Sequence, residues 1–135
     1  MGFTLLRDSF YLDFLPDLAV DGVIAGPAGT GRVGAVARED VARAAAAVLA
    51  DLAAGDRRHD GAVYELTGPQ ALSLSDVAAV LTAAGRPTVY RQESVEETYA
   101  SRSVYGVFDW QVDAWVSTYI SKARDQVGYS VFFST

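Results

Sequence analysis

The sequence predicts an α/β chain with a small, mostly parallel sheet and about four to five helices. Three observations carry that expectation. Short apolar, strand-like runs alternate with helix-forming runs along most of the 135 residues, the order typical of parallel sheets. Half of the residues are hydrophobic, enough for a core. The helix-forming runs begin on capping signals and end on glycines. Parallel strands need cover on both faces, and so short a sheet is expected to leave a face or an edge exposed.

The elements follow in order. "FTLLR" (residues 3–7) reads as a buried strand. "SFYLDFLPDL" places Phe10, Phe14 and Leu18 at helical spacing, with Pro16 expected to break or kink the turn. "GVIAG" (22–26) and "RVGAVA" (32–37) are two further strand candidates. The clearest helix is "EDVARAAAAVLADLAAG" (39–55), rich in strong helix formers. Glu39 and Asp40 open it, where the helix dipole favours negative charge, and Gly55 suits a left-handed end. After the polar turn "DRRHDG", the segment "AVYELTG" (62–68) is the next strand. Ser73 and Asp76 cap the helix that follows, Leu72 and Val77 occupy staple positions, and Gly85 with Pro87 stops it. "TVYRQES" (88–94) is a strand, and Ser94 with Glu97 forms a capping box for "VEETYASRSVYG". Asp109 is expected to cap a last helix over residues 110–123, and the tail "VGYSVFFST" is apolar and β-prone.

Composition narrows the function classes. A net charge of −6 argues against nucleic acid as the main partner, because phosphate binding needs a basic surface. It argues equally against a polybasic membrane contact. There is no cysteine, so disulfides and thiolate metal sites are excluded. His59 is the sole histidine, and no metal site is expected. No apolar run reaches membrane-spanning length, about 18 residues, and the N-terminus lacks signal-peptide features. The expected location is cytoplasmic.

"GTGRVG" (29–34) has the letters of the dinucleotide fingerprint. In a true fingerprint the helix opens within the glycines and points its free N–H groups at the pyrophosphate. Here "RVGAVA" follows and reads as extended, and the helix begins only near Arg38. A P-loop fails separately, because Arg32 and Val33 stand where Lys and Ser or Thr are required. The stretch reads as a turn leading into a strand.

Four segments taken together resemble a known family. "TLLRDSFYLDFLPDL", "GRVGAVAREDVARAAAAVL", "YELTGPQALSLSDVAAVL" and "YGVFDWQVDAWVSTY" resemble, in order and spacing, the C-terminal half of NmrA-like atypical short-chain dehydrogenases. The type 2 NAD(P)H:quinone oxidoreductase-like subgroup is the most similar. The resemblance covers residues 3–119 and fades over residues 120–135, which read as a divergent tail. It implies a partial Rossmann-like fold, without the family's first strand–helix unit and its cofactor loop.

The resemblance also implies site residues. After the first strand the family pattern is Arg, Asn, a small residue, an aromatic and Tyr. Here it reads Arg7, Asp8, Ser9, Phe10 and Tyr11. Asp8 in place of Asn removes an amide donor and adds a negative charge. Residues Asp8, Ser9, Phe10, Tyr11 and Asp13 are thereby candidates for the nicotinamide and substrate side, with Arg38 of the "R-x-D-V-A" feature nearby. Arg38 either reaches cofactor or substrate, or serves with Asp40 to order the helix start. Catalytic residues are not assigned.

The implied function is a fragment of an NAD(P)H-dependent, quinone-reducing oxidoreductase. The alternatives are a non-catalytic dinucleotide-sensing or protein-interaction module, and an inactive fragment. NAD(P)H is the implied cofactor of the complete family protein, with weak or no binding by this chain alone. A small-molecule substrate and self-association through an exposed sheet edge are the expected partners. Other constellations read as structure. Tyr119 and Lys122 are three apart, one short of the spacing of a Tyr–Lys catalytic pair, and read as surface residues. Glu96 and Glu97 fit a solvated first turn, and His59 reads as solvent-exposed. Trp110 and Trp115, with Phe108, Val112 and Tyr119, read as an apolar helix face against the sheet, with a ligand pocket as the alternative.

Overall fold

The computed structural model describes residues 2–106 and 108–123. In chain order the elements are β1 (Leu5–Asp8), a 3-10 helix (Leu12–Leu18), β2 (Val23–Gly26), β3 (Arg32–Val33), α1 (Arg38–Ala53), β4 (Val63–Leu66), β5 (Leu72–Ser73), α2 (Leu74–Ala83), β6 (Val89–Gln92), α3 (Val95–Ser103) and α4 (Asp109–Ala123). The chain is α/β with small, mostly parallel sheets. It forms two compact units: one holds the chain up to Asp13 with Gly34–Ala71, the other begins at Phe14–Val33 and resumes at Leu72.

In the first unit β1 pairs in parallel with β4, from Leu5 opposite Val63 to Asp8 opposite Leu66. Side chains alternate between faces along a strand. Leu5 and Arg7 therefore share a face with Val63 and Glu65, and an Arg7–Glu65 ion pair of 2.7 Å lies on it. Leu6 and Asp8 share the other face with Tyr64 and Leu66. The Tyr64 hydroxyl meets His59 Nδ1 at 2.7 Å, and His59 Nε2 meets Asp51 of α1 at 3.0 Å. This chain of contacts ties α1 to the Leu6–Tyr64 face. The helix ends at Ala54, followed by Gly55 at φ +85°, a left-handed conformation that a Cβ disfavours.

In the second unit β2 pairs in parallel with β6, Val23 opposite Val89 through Gly26 opposite Gln92. β3 and β5 form a short antiparallel pair. Ile24, Val33, Leu74, Val77, Val112 and Val116 are buried. Both expected capping boxes form: Ser73 accepts from the Asp76 N–H at 3.1 Å, and Ser94 accepts from the Glu97 N–H at 3.1 Å. Glu93 is buried and bonded to Arg102 at 2.9 Å and Arg91 at 3.0 Å. Arg102 also donates to the Ala25 carbonyl at 2.6 Å.

Several expectations are corrected. The segment after β1 is a 3-10 helix with Pro16 inside it, and Leu15 is its buried residue while Phe14 is exposed. With three residues per turn, positions four apart do not share a face. The strand expected over 32–37 stops at Val33, and beyond it Val36 makes only an isolated parallel bridge with Tyr11. Asp109 is the first helical residue of α4, and the Phe108 N–H before it donates to Gln111 Oε1 at 3.1 Å. Tyr119 is buried, not on the surface, whereas Trp110, Trp115 and Phe108 are exposed. The buried face of α4 is Val112, Val116 and Tyr119, at spacings of four and three. His59 is not solvent-exposed: its side chain is only 18% accessible because Tyr64 and Asp51 hold it. α4 continues through residue 123, and the β-prone tail lies outside the described residues.

Candidate functional site

Because β1 and β4 are parallel and in register, Asp8 and Leu66 bring the carboxyl ends of both strands side by side. In open α/β sheets this is the end where ligands bind. All six residues singled out in the sequence lie here, in the first unit. The chain leaves β1 through Ser9, which is exposed, and Phe10, which is half-buried. Backbone bonds hold this exit in place: the Val36 N–H donates to the Phe10 carbonyl and the Leu12 N–H to the Val36 carbonyl, both at 2.9 Å.

That pairing brings Asp13 to the start of α1. Ala37, the residue before the helix, offers no capping side chain. The Asp13 carboxylate takes that role from 25 residues away, accepting the Arg38 N–H at 2.8 Å. The Arg38 guanidinium lies 3.8 Å from the same oxygen. The Arg38 N–H bond, and after it the Arg38 charge, hold the Asp13 carboxyl below its ordinary pKa. Tyr11 is exposed, with its hydroxyl near Asp8. The pull of the Asp8 carboxylate on that hydroxyl, then the Asp8 charge, raise the Tyr11 pKa, against a smaller opposite pull from Arg38. Tyr11 is thus a neutral phenol at physiological pH. Asp8, Tyr11, Asp13 and Arg38 form one exposed polar cluster. Asp40 is not in it; it pairs with Arg43 on the helix at 2.6 Å.

Gly68 is a site-forming residue that the sequence did not single out. A Cβ there would collide with the Ala35 carbonyl oxygen, and the Gly68 N–H reaches the Gly34 carbonyl at 3.4 Å. The close crossing of residues 34–35 by residues 67–68 fixes the path into Val36 and Arg38. The one signal was a glycine two residues past an apolar strand, "ELTG".

In the glycine turn of the second unit two backbone N–H groups are bonded within the unit. The Gly29 N–H donates to Gln92 Oε1 at 2.9 Å and the Gly31 N–H to the Ala28 carbonyl at 3.0 Å. β3 follows it. A cavity of about 440 Å³ lies in this unit, lined by Tyr99, Ala100, Ser103, Asp109, Val112 and Asp113; none of the six residues lines it. Among the described residues no cluster of metal-ligating side chains occurs, and no helix is long and apolar enough to cross a membrane.

Known proteins share this sequence and fold. Over 116 residues the chain is 36% identical to quinone oxidoreductase 2 of Escherichia coli (strain K12), covering 82% of this chain and 39% of that protein. It is 32% identical over 124 residues to the NAD(P)H azoreductase of Xenophilus azovorans, covering 88% of this chain and 42% of that one. The triphenylmethane reductase of Citrobacter sp. superposes with a TM-score of 0.80 at 26% identity, covering 96% of this chain and 46% of its own.

The chain is a partial match to the NmrA-like family of quinone oxidoreductases and reductases.

Within that family, the NADPH-dependent quinone oxidoreductase of Escherichia coli, solved with NADPH, superposes with a TM-score of 0.79 at 28% identity, covering 96% of this chain and 46% of that one. No protein-family model matches the chain. The chain spans less than half the length of these NmrA-like relatives.

Proposed function

We propose that this chain supplies the nicotinamide and substrate side of an NAD(P)H-dependent, quinone-reducing oxidoreductase. The observation that supports it most is the cluster of Asp8, Tyr11, Asp13 and Arg38 at the carboxyl ends of β1 and β4, in a chain related to NAD(P)H-dependent reductases.

The residues fit one end of the cofactor and not the other. A nicotinamide carboxamide needs an acceptor for its NH₂ and a donor for its carbonyl. Asp8 is an acceptor with lone pairs beyond the one facing Tyr11, and the Arg38 guanidinium is exposed and rich in donors. A diphosphate needs a row of free backbone N–H groups. The first N–H of α1 is taken by the Asp13 carboxylate, which also repels an anion there. In the glycine turn the Gly29 and Gly31 N–H groups are bonded to Gln92 and Ala28. Weak binding by this chain alone follows, because it would grip only the nicotinamide end.

When bound, NADPH supplies a hydride from its nicotinamide to the quinone, and a proton from water completes the hydroquinone. The residues of this chain orient the reactants. Asp8 steadies the Tyr11 hydroxyl as a hydrogen-bond acceptor, and Tyr11 presents a neutral aromatic wall to a flat substrate. Asp13 holds Arg38 at the helix start, with the exposed guanidinium 3.8 Å from the same carboxylate.

A chimera tests this reading: the chain replaces the matching part of Escherichia coli quinone oxidoreductase 2. The expected result is saturable NADPH binding, followed by nicotinamide fluorescence, and quinone-dependent NADPH oxidation. Arg38→Ala is expected to lower oxidation about tenfold or more, the loss of one charge-assisted contact. A folded chimera that binds no NADPH sinks the reading. A chimera that binds NADPH but oxidises none with quinones favours a sensing module.

A further inference from the structure

Helices α3 and α4 pack against each other within the second unit. The cavity of about 440 Å³ lies between them, a volume that suits a small organic ligand. From α3 it takes Tyr99 and Ser103, four apart and so on one face, with Ala100 beside them. From α4 it takes Asp109, Val112 and Asp113, at spacings of three and four. Val112 is buried and Tyr99 is 39% exposed, so the lining offers an apolar surface and an open aromatic ring. Its charge is of one sign: Asp109 and Asp113 line the cavity and no cationic side chain does. Elsewhere in this unit Asp76 and Glu93 have arginine partners, whereas Asp109 and Asp113 have no ion pair among the described residues. The helix dipole favours an acid in the first turn only. It accounts for Asp109 and not for Asp113, one turn further in. Asp113 Oδ1 instead accepts the Tyr99 hydroxyl at 2.9 Å, and that bond raises the Tyr99 pKa and keeps the phenol a donor. Ser103 gives its proton to the Ala100 carbonyl at 2.8 Å, which leaves its oxygen as an acceptor. The dipole places about half a positive charge at this end of α4, far less than the two carboxylates carry. The cavity therefore attracts cations.

We propose that the α3–α4 cavity binds a primary ammonium carried on an apolar, aryl-sized body. An ammonium brings three donors and no acceptor, the complement of a lining made of two carboxylates and a hydroxyl oxygen. Its charge also gains from the face of the Tyr99 ring, and its body covers Val112. An anion of the same shape is repelled, and a neutral analogue leaves both carboxylates without a cation. A metal ion is the poorer ligand, because no group of three metal-ligating side chains occurs among the described residues. None of these residues belongs to the cluster of Asp8, Tyr11, Asp13 and Arg38, so the proposal stands apart from the proposed function.

Phenethylammonium, titrated into the full chain at neutral pH and followed by backbone amide NMR, tests the site. The expected result is saturable shifts at Tyr99, Ser103, Val112 and Asp113. Its affinity should exceed that of phenylethyl alcohol about tenfold or more, the gain of a charge-assisted contact. Raising salt from about 0.05 to about 0.5 M should weaken it several-fold. Asp113→Asn keeps the shape of the side chain and an acceptor for Tyr99. It should weaken phenethylammonium about tenfold and leave the alcohol unchanged. If that variant loses helical circular dichroism, Asp109→Asn takes its place with the same expectation. No saturable shift, shifts centred outside α3 and α4, or equal affinity for the ammonium and the alcohol overturns the proposal. A folded variant that binds the ammonium as tightly as the parent chain overturns it as well.

Discussion

The two units of this chain bury their side chains very differently. In the second, Ile24, Val33, Leu74, Val77, Val112 and Val116 are buried, and even its charged pair Glu93–Arg102 is enclosed. In the first, the buried apolar residues are Ala35, Val36 and Leu66, and no side chain of the sixteen-residue α1 is buried. Leu49 on that helix is 63% exposed. The first unit nevertheless holds the polar cluster at the strand ends. Apolar burial drives folding, and local stability follows it. The second unit is therefore expected to be the more stable, and the first the one whose order depends on added cover.

The sharpest contrast lies in the ion pairs. Arg102→Ala leaves the buried Glu93 with the largely exposed Arg91 as its remaining cation, beside the Thr98 and Ser101 hydroxyls. Removing one partner of a buried pair costs about 3–5 kcal/mol, and chemical denaturation should show a loss toward the low end of that range. A loss below about 1 kcal/mol would erase the distinction between the units. In the first unit Gly68→Ala forces the Ala35 carbonyl to move, which overpacking data put at about 1–3 kcal/mol. Hydrogen exchange should quicken at Val36 and Leu12 and leave Ile24 unchanged. At the low end, Arg7→Ala breaks an exposed pair with Glu65 and should cost less than about 1 kcal/mol.

Acid sharpens the comparison further. Asp13 has a folded pKa below its unfolded value, through its bond to the Arg38 N–H. Its contribution is fully present above the unfolded value, about 4, and is lost as pH falls through the lower folded value. Asp51, held down first by its bond to His59, behaves the same way at the other end of α1. In the second unit Asp76 does so in its capping box. Exchange at the first turn of α1 is expected to quicken below about pH 4 before the amides of β2 do. Simultaneous loss would mean that the units unfold together.

Local signals were legible in the sequence and long-range ones were not. The Ser73–Asp76 and Ser94–Glu97 boxes and the glycine after α1 lie within a few residues of what they cap. Asp13 caps α1 from 25 residues away, and no sequence window contains both. Arg102 reaches the Ala25 carbonyl across 77 positions, and Thr4 donates to the His59 carbonyl across 55. On α4 the aromatic residues drew attention, but the helical period falls on Val112, Val116 and Tyr119, so the tryptophans face outward. Among the site residues, Asp8, Tyr11, Asp13 and Arg38 were named through a family resemblance. Their convergence comes from the Tyr11–Val36 bridge, which composition and periodicity do not encode. Gly68 matters through one backbone crossing and left almost no mark in the sequence.

The most direct test of the central claim is an NADPH titration of the chain alone beside its chimera with the Escherichia coli enzyme, followed by nicotinamide fluorescence. The expected result is no saturation of the chain below the millimolar range and saturation of the chimera well below it. Micromolar binding by the chain alone would contradict the account, because it would require a diphosphate cradle although the Arg38, Gly29 and Gly31 N–H groups are already bonded to Asp13, Gln92 and Ala28.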